Sequence, residues 1–220
     1  MCGLRSTLLG TSGPADRSGE IAGERDHLRR RRRRWGKYPP RLPPGFSVYC
    51  GNLAPVGRKP GIVACGSRNE AFDKFQTQIR ISKRGDICAL LVDSEEPVIT
   101  EPLRHLSVRD HWRFPALNNH QVFLMVQAME AWFLADREAL AAFYGHGLLT
   151  GSLRGSPTNV EIIRKDDLEP CLKHASKPCE HKGEYHKVKH GFALLALIDP
   201  TKVERASPHA KSFNDFLRGL

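Results

Sequence analysis

The sequence lacks any apolar run of the roughly 20 residues that are needed to cross a bilayer. Its N-terminus also lacks the uninterrupted hydrophobic core of a signal peptide. We therefore expect a cytoplasmic protein with no membrane contact. The six cysteines, at positions 2, 50, 65, 88, 171 and 179, lack any tight repeated spacing. Cys65 and Cys88 lie in apolar strand-like segments, where a reduced cysteine behaves as a small hydrophobic residue.

Most of the chain also lacks net charge. The formal charge is +10, but residues 1–60 hold 13 of the 34 Lys and Arg residues and only 4 of the 24 Asp and Glu residues. Residues 61–220 carry 21 basic and 20 acidic residues and are therefore almost neutral. An argument for nucleic-acid binding from overall basicity thus applies to the first sixty residues alone.

Hydrophobic periodicity is missing from residues 1–57, which mix Gly, Ser, Pro and Arg and contain six consecutive arginines at positions 29–34. No helix or strand is predicted there. We interpret this segment as a disordered basic arm that binds phosphate backbones. Two alternatives remain: a dispensable disordered extension, and a mistranslated segment, because a GC-rich message read out of frame gives the same composition. A first strand of the sheet would have to lie in this region.

Residues 87–92 form an uncharged run, Ile-Cys-Ala-Leu-Leu-Val, that ends in acids and is closed by Pro97. The run predicts the central strand of a parallel sheet, buried on both faces. Ligands gather beyond the carboxyl ends of such strands, and Asp93 and Glu95 are spaced so that both can face one cation. The alternative is a solvated loop that begins a turn before Pro97.

Residues 58–220 are predicted to form an α/β domain with a mainly helical C-terminal part. A strand over 62–65, a helix capped by Ser67 or Asn69, and the strand over 87–92 make a strand-helix-strand crossover unit. Residues 97–119 are polar and broken by proline, and we expect a long ordered loop. The chain closes with helices that begin at Pro200 and follow a break at 207–209, and we expect these helices to pack against the sheet edge.

The strongest helix is predicted over 119–144, apolar nearly all round and so deeply buried. Gln127 and Glu130 are conspicuous there, because buried polar residues need partners. Glu130 either faces the site of Asp93 and Glu95, or pairs with an arginine or caps a loop.

A short helix is predicted over 166–174. Its thiol and imidazole groups at Cys171 and His174 are followed by those of Cys179 and His181. These are the ligand types that zinc prefers, but their spacing matches no paired arrangement, so a plain loop is the alternative.

Residues 182–191 are dense in groups that bind phosphate or transfer protons. We expect Lys182, Lys187 and His190, together with Arg68, to contact the substrate. The alternative for this segment is a solvated connector that precedes a helix over 192–198.

Several motifs in fixed order give the chain a resemblance to an uncharacterised bacterial family, catalogued as domain of unknown function 4276, over roughly residues 57–218. The motifs are Gly-Ser-Arg68-Asn69-Glu70-Ala-Phe-Asp73-Lys, Leu-Leu-Val-Asp93-Ser-Glu95, Met125-Val-Gln127-Ala-Met-Glu130-Ala-Trp132-Phe-Leu-Ala-Asp136, Lys182-Gly-Glu-Tyr185-His-Lys187 and Ser-Pro208-His209.

This family looks similar in plan to Toprim domains, the α/β metal-binding modules of topoisomerases, primases and overcoming-lysogenisation-defect nucleases. The resemblance implies that Asp93 and Glu95 hold Mg2+, in Asp-x-Glu form. It also implies a glutamate after the first strand, but residues 1–57 lack the expected Val-Glu-Gly type of turn, and no strand is predicted before Glu20 or Glu24.

The leading hypothesis is a Toprim-like, Mg2+-dependent nuclease or phosphoryl-transfer protein acting on nucleic acid. The resemblance implies a role in phage defence beside an ATPase partner. Asp93 and Glu95 would be catalytic metal ligands, with Glu130 as an additional or supporting acid. The alternatives are a non-catalytic module that binds a partner protein or nucleic acid, which the missing glutamate favours, and a zinc-stabilised binding domain.

Overall fold

Four strands form one mixed sheet in the computed structural model, which describes residues 6–11, 44–58, 60–83, 86–115 and 121–220. The strands are β1 (Ser6–Thr11), β2 (Gly61–Cys65), β3 (Ile87–Asp93) and β4 (Val122–Met125), in the order β2-β1-β3-β4. β1 pairs antiparallel with both β2 and β3, whereas β3 and β4 pair in parallel. The predicted α/β class is confirmed. The sheet was predicted to be parallel, and among the described strands it is mixed, with β3 and β4 as its parallel pair.

β3 is an internal strand of this sheet, as predicted. Its residues from Cys88 to Asp93 are all buried. Leu90 and Val92 pack in a cluster with Phe75, while Ala89 and Leu91 belong to a larger cluster on the opposite face. Successive side chains of a strand point to opposite faces, so the uninterrupted apolar run reflects burial on both sides.

The strand-helix-strand unit is also confirmed. Helix α2 (Arg68–Ile81) lies between β2 and β3 in sequence, and the Ser67 side chain caps it by accepting a hydrogen bond from the Glu70 backbone nitrogen at 3.2 Å. Phe72 and Phe75 are buried against the sheet. Since β2 and β3 both run antiparallel to β1, the crossover connects two strands that are separated by a third.

The region 1–57 contains two elements where none is predicted, β1 and helix α1 (Pro44–Gly51). Backbone pairing holds β1 on both sides, with Leu8 opposite both Val63 and Leu90. A strand therefore precedes Glu20 and Glu24. Residues 12–43, which include both glutamates and the arginine run, lie outside the described part, so the basic arm stays a prediction.

The prediction of one long helix over 119–144 is wrong. The segment forms β4, then α4 (Glu130–Ala135) and α5 (Arg137–Tyr144). Val122 to Met125 are all buried, and such a continuous apolar run occurs both in buried strands and in buried helices. The parallel pairing with β3 shows that the segment is a strand. Asp136 then starts α5 by accepting a hydrogen bond from the Ala139 backbone nitrogen at 3.1 Å.

The long loop expected over 97–119 contains helix α3 (Pro102–Asp110). Pro102 stands at the start of this helix, where proline is tolerated because the first N–H groups have no intrahelical acceptor. Residues 116–120 lie outside the described part of the chain.

The remaining helices agree with the predictions in number and order. They are α6 (Lys165–Ser176), α7 (Lys187–Leu197), α8 (Pro200–Ala206) and α9 (Pro208–Arg218), with a short 3-10 turn at Thr150–Ser152. Phe213 and Phe216 of α9 pack on Phe123 of β4, with ring centroids 5.4 and 4.8 Å apart. α9 therefore covers the β4 edge of the sheet, as expected. Over the described residues, no helix combines the length and apolarity needed to span a membrane.

Candidate functional site

The carboxyl ends of β3 and β4 carry the acids singled out in the sequence. Asp93 is the last residue of β3, is fully buried, and accepts a hydrogen bond at Oδ1 from the Met129 backbone nitrogen at 2.9 Å. The backbone nitrogen of Ser94 donates to the Met125 carbonyl at 3.0 Å, which continues the ladder beyond the strands. Asp93 thus fixes the segment immediately before Glu130 against the end of β3.

Glu95 has an unusual backbone conformation, with a φ of 71° in the left-handed region. Such a conformation costs a non-glycine residue on the order of 1 kcal/mol or more and persists where surrounding contacts impose it. Here the Glu95 backbone nitrogen donates to the Gln127 carbonyl at 2.8 Å. The Glu95 carboxylate forms an ion pair with Lys165, the first residue of α6.

Gln127 contacts both Glu95 and Lys165. Its buried side chain accepts a hydrogen bond from the Lys165 backbone nitrogen at 3.0 Å and donates one to the Glu161 carbonyl at 3.4 Å. Together with its backbone bond to Glu95, these contacts hold the start of α6 beside the end of β3. The conspicuous buried amide therefore has a positioning role, although it lies in a loop and not on the helix face predicted.

Glu130 opens α4 and is 2% exposed. One carboxylate oxygen, Oε1, forms an ion pair with Lys187 and accepts a hydrogen bond from the Tyr185 hydroxyl at 3.4 Å. Burial raises the pKa of Tyr185, and the charge of Glu130 raises it further, so this hydroxyl stays protonated and acts as a donor. The other oxygen, Oε2, is buried and has no hydrogen-bond partner among the described residues.

A polar cavity of about 400 Å³ is lined by the lysines of both acid–lysine pairs and by Glu130. Its lining comprises Ala128, Glu130, Lys165, Asp166, Leu168, Glu169, Pro170, Lys173 and Lys187. Since Lys165 and Lys187 are paired with Glu95 and Glu130, the cavity brings both pairs to one place at the carboxyl edge of the sheet. We refer to it as the lysine cavity.

Arg68 is hydrogen-bonded to other residues of the chain. Its guanidinium donates to both carboxylate oxygens of Asp110 at 2.7 and 2.8 Å and to the Asp93 carbonyl at 2.9 Å, and it lies over the Trp112 ring. Burial raises the pKa of Asp110, but the hydrogen bonds and charge of Arg68 outweigh this and hold it below its usual value. Arg68 therefore fastens α3 to the end of β3, and its predicted substrate contact stays a prediction.

Lys182 and His190 lie outside the lining of the lysine cavity. The Lys182 ammonium is 4.8 Å from the centroid of the Phe143 ring. His190 is buried, and its Nδ1 accepts a hydrogen bond from the His186 backbone nitrogen at 3.2 Å and lies 3.1 Å from the Tyr144 hydroxyl. Burial and the nearby His186 and Lys182 lower the pKa of His190. Of the four predicted substrate contacts, the structure thus places Lys187 in the cavity.

Sequence reasoning missed Lys165 and the pairing of Glu161 with the Ser-Pro-His motif. Glu161 accepts hydrogen bonds from the Ser207 hydroxyl and from the His209 backbone nitrogen at 3.0 Å, and it meets His209 Nδ1 at 2.9 Å. Burial raises the pKa of Glu161, but these bonds lower it by more, so it lies below its usual value. The Ser-Pro-His motif therefore attaches the start of α9 to Glu161, whose carbonyl accepts the hydrogen bond from Gln127.

The described residues contain no group of three or more His, Cys, Asp or Glu side chains that could hold a metal ion. Cys171, a ligand in the alternative zinc hypothesis, accepts a hydrogen bond from the Arg154 backbone nitrogen and contacts the Ser152 carbonyl. Mg2+ needs fewer protein ligands, because it keeps several waters and is commonly held by one or two carboxylates. Carboxylates such as those of Asp93, Glu95 and Glu130 are of the ligand type that Mg2+ takes, and two of them, Glu95 and Glu130, are each paired with a lysine.

A family model described as "Domain of unknown function (DUF4276)" matches residues 39–220. The chain belongs to this family. The match begins before α1 and covers the site acids, the lysine cavity and the C-terminal helices. The matched region therefore contains every residue of the candidate site. No curated protein and no solved structure matches the chain significantly.

Proposed function

We propose that this DUF4276 protein is a Toprim-like, Mg2+-dependent nuclease or phosphoryl-transfer protein that acts on nucleic acid. The observation that carries the proposal is Glu130: a carboxylate that is 2% exposed, lines a cavity, and has one oxygen without a hydrogen-bond partner among described residues. A buried polar group left without a partner costs free energy, and such groups are concentrated where a ligand completes them.

The acids divide into two roles. Asp93 and Glu95 would hold Mg2+, and Glu130 would add an oxygen ligand or receive a proton. Bound there, Mg2+ would stabilise charge on phosphate oxygens and lower the pKa of a water. The left-handed backbone at Glu95 supports a functional role, because strained residues cluster at such sites.

Lys165 and Lys187 supply positive charge for phosphate. Each neutralises a carboxylate, since Lys165 pairs with Glu95 and Lys187 with Glu130. An ammonium group has three N–H donors, so one carboxylate oxygen leaves donors for a phosphate in the cavity. These lysines would orient the phosphate by donating hydrogen bonds to its oxygens.

The resemblance to Toprim domains also motivates a proposal about context. We place the protein in the bacterial cytoplasm, in phage defence beside an ATPase partner. Co-purification of the tagged chain with a nucleotide-hydrolysing protein from its native host supports this context, and recovery of the chain alone opposes it.

The direct test is cleavage of DNA and RNA by the purified protein with Mg2+, with chelator, and after Asp93→Ala. We expect cleavage that needs Mg2+ and disappears in the variant. Asp73→Ala serves as a matched control, because Asp73 is exposed on α2. Unchanged cleavage by Asp93→Ala would remove Asp93 from the mechanism, and the absence of cleavage in every condition would oppose a nuclease.

A second function, a non-catalytic module that binds a partner protein or nucleic acid, is favoured by the internal ion pairs. Glu95 and Glu130 are already balanced by lysines, so their charges require no metal. This function predicts that partner binding is the same with chelator and with Asp93→Ala. Binding that is lost under either condition excludes it.

A further inference from the structure

We infer that the lysine cavity takes a single phosphomonoester of nucleotide size that also carries hydroxyl or amino groups: a mononucleotide, or the terminal nucleotide of a single strand. This inference rests on the proposed function, because it uses the same carboxylates and lysines. The inference goes beyond the proposed function because it excludes phosphates that lie within a continuous or double-stranded backbone.

The charged groups of the cavity change in exposure from floor to rim. Glu130 is 2% exposed, whereas the side chains of Lys187, Lys165 and Lys173 are 15%, 28% and 43% exposed. The acid with the unpartnered oxygen therefore lies at the bottom, and the lysines line the way to it. A ligand that reaches Glu130 must enter the protein.

The size of the cavity limits what can enter. Its volume of about 400 Å³ lies near the lower end of the range of about 300–1,000 Å³ that is typical of small-molecule sites. A duplex presents its phosphates on the outside of a wide, stiff cylinder and cannot bring one to the floor of such a cavity. A free nucleotide or an unpaired strand end can.

The cavity is lined by three lysines and by three acids, Glu130, Asp166 and Glu169, so a ligand must present both hydrogen-bond acceptors and donors. Lys165 and Lys187 offer N–H donors, which match phosphate oxygens. In this assignment Glu130 Oε2, an acceptor that lacks a donor within the described chain, accepts a hydrogen bond from an O–H or N–H of the ligand and is not a metal ligand. A sugar phosphate supplies both from separate parts of one molecule, whereas inorganic phosphate carries its O–H donors only on the phosphorus that the lysines would bind.

Calorimetric titration with 5′-AMP, adenosine and inorganic phosphate tests this assignment, in buffer with Mg2+. We expect saturable binding of 5′-AMP, and binding about tenfold or more weaker for adenosine and for phosphate, because each lacks one set of charged hydrogen bonds. Equal binding of 5′-AMP and adenosine, or no saturable binding of 5′-AMP, overturns the inference.

Variants locate the ligand in the cavity. Lys165→Met should weaken 5′-AMP binding by about tenfold or more, because it removes charged donors. Lys211→Met is the control, since Lys211 is exposed on α9 and pairs with Asp215. The double variant Glu130→Gln, Lys187→Met removes both members of the other pair without leaving a buried charge and should also weaken binding. Equal weakening by Lys211→Met, or full binding by both cavity variants, places the ligand elsewhere.

Competition distinguishes the two sources of the terminal phosphate. A 5′-phosphorylated pentanucleotide that displaces 5′-AMP identifies a strand end as the ligand, and failure to displace it identifies a free nucleotide. Both results agree with the inference. A covalently closed single-stranded circle that competes equally well contradicts it, because a circle has no terminal phosphate.

Cleavage measured on the same preparations separates this inference from the proposed function. Binding of 5′-AMP without Mg2+-dependent cleavage supports the inference and opposes the enzyme. Cleavage of closed circles without binding of 5′-AMP supports the enzyme and contradicts the inference.

Discussion

Replacing Lys187 with methionine should destabilise the protein by leaving the charge of Glu130 buried without its cation. Glu130 is 2% exposed, and the Lys187 side chain is 15% exposed, so solvent screens the pair only weakly. Breaking a buried pair by removing one partner costs about 3–5 kcal/mol. The Tyr185 hydroxyl remains as a donor to Glu130, and we therefore expect a value near the lower end of that range.

A loss of about 3 kcal/mol lowers the melting temperature of a chain of this size by about 6–12 °C. Urea unfolding followed by tryptophan fluorescence measures the free energy directly, because Trp132 is completely buried in the core. Methionine keeps most of the apolar stem of lysine, so lost packing contributes little.

Two comparisons isolate the charge. Lys173→Met removes a partly exposed lysine that pairs with Glu169 on the same helix and should change stability little. The double variant Glu130→Gln, Lys187→Met leaves no unpaired charge and should recover most of the stability. If Lys187→Met is as stable as Lys173→Met, or the double variant is no more stable than the single one, the reasoning about a buried pair is refuted.

Two further predictions concern pairs outside the cavity. The pKa of Glu161 is held below its usual value of 4.5, so its contribution to stability is present above that pH and is lost as the pH falls through the folded-state value. Glu161→Gln should therefore be less stable than the wild type at pH 7 and should approach it in acid unfolding scans below about pH 4; a difference that stays constant with pH contradicts this. Arg68→Lys loses the two parallel bonds to Asp110 and should cost about 1–3 kcal/mol in urea unfolding, whereas exposed Arg104→Lys should have little effect. Equal stability of the two lysine variants would show that the paired bonds contribute nothing.

Local patterns were sufficient to predict the elements whose signal lies within a few residues. The apolar run of β3 and its terminal acids, one of the two predicted caps of α2, Ser67, and the start of α8 at Pro200 all appear in the structure. Pro208 was interpreted as part of a break, but it is the first residue of α9. β4 was mistaken for helix because its four residues are buried on all sides and show no period. α3 was missed because Pro102 was interpreted as a break, although it stands in the first turn of a helix.

The candidate site was predictable in its acids but not in their partners. Asp93, Glu95, Glu130 and Lys187 were identified from residue type and position, and the structure brings them to the carboxyl edge of the sheet. The pairing of Glu95 with Lys165 spans 70 residues, and no local pattern specifies a contact at that separation. For the same reason, the binding of Arg68 by Asp110, 42 residues away, was not foreseen.

Binding of Mn2+, a spectroscopic substitute for Mg2+, tests the central claim about these acids most directly. Paramagnetic resonance of free Mn2+ during a titration counts bound ions without requiring a substrate or activity. The account predicts about one bound Mn2+ per chain in the wild type, a loss of that site in Asp93→Asn, and retention in the exposed control Asp73→Asn. No bound Mn2+ in the wild type, or an unchanged site in Asp93→Asn, would contradict it.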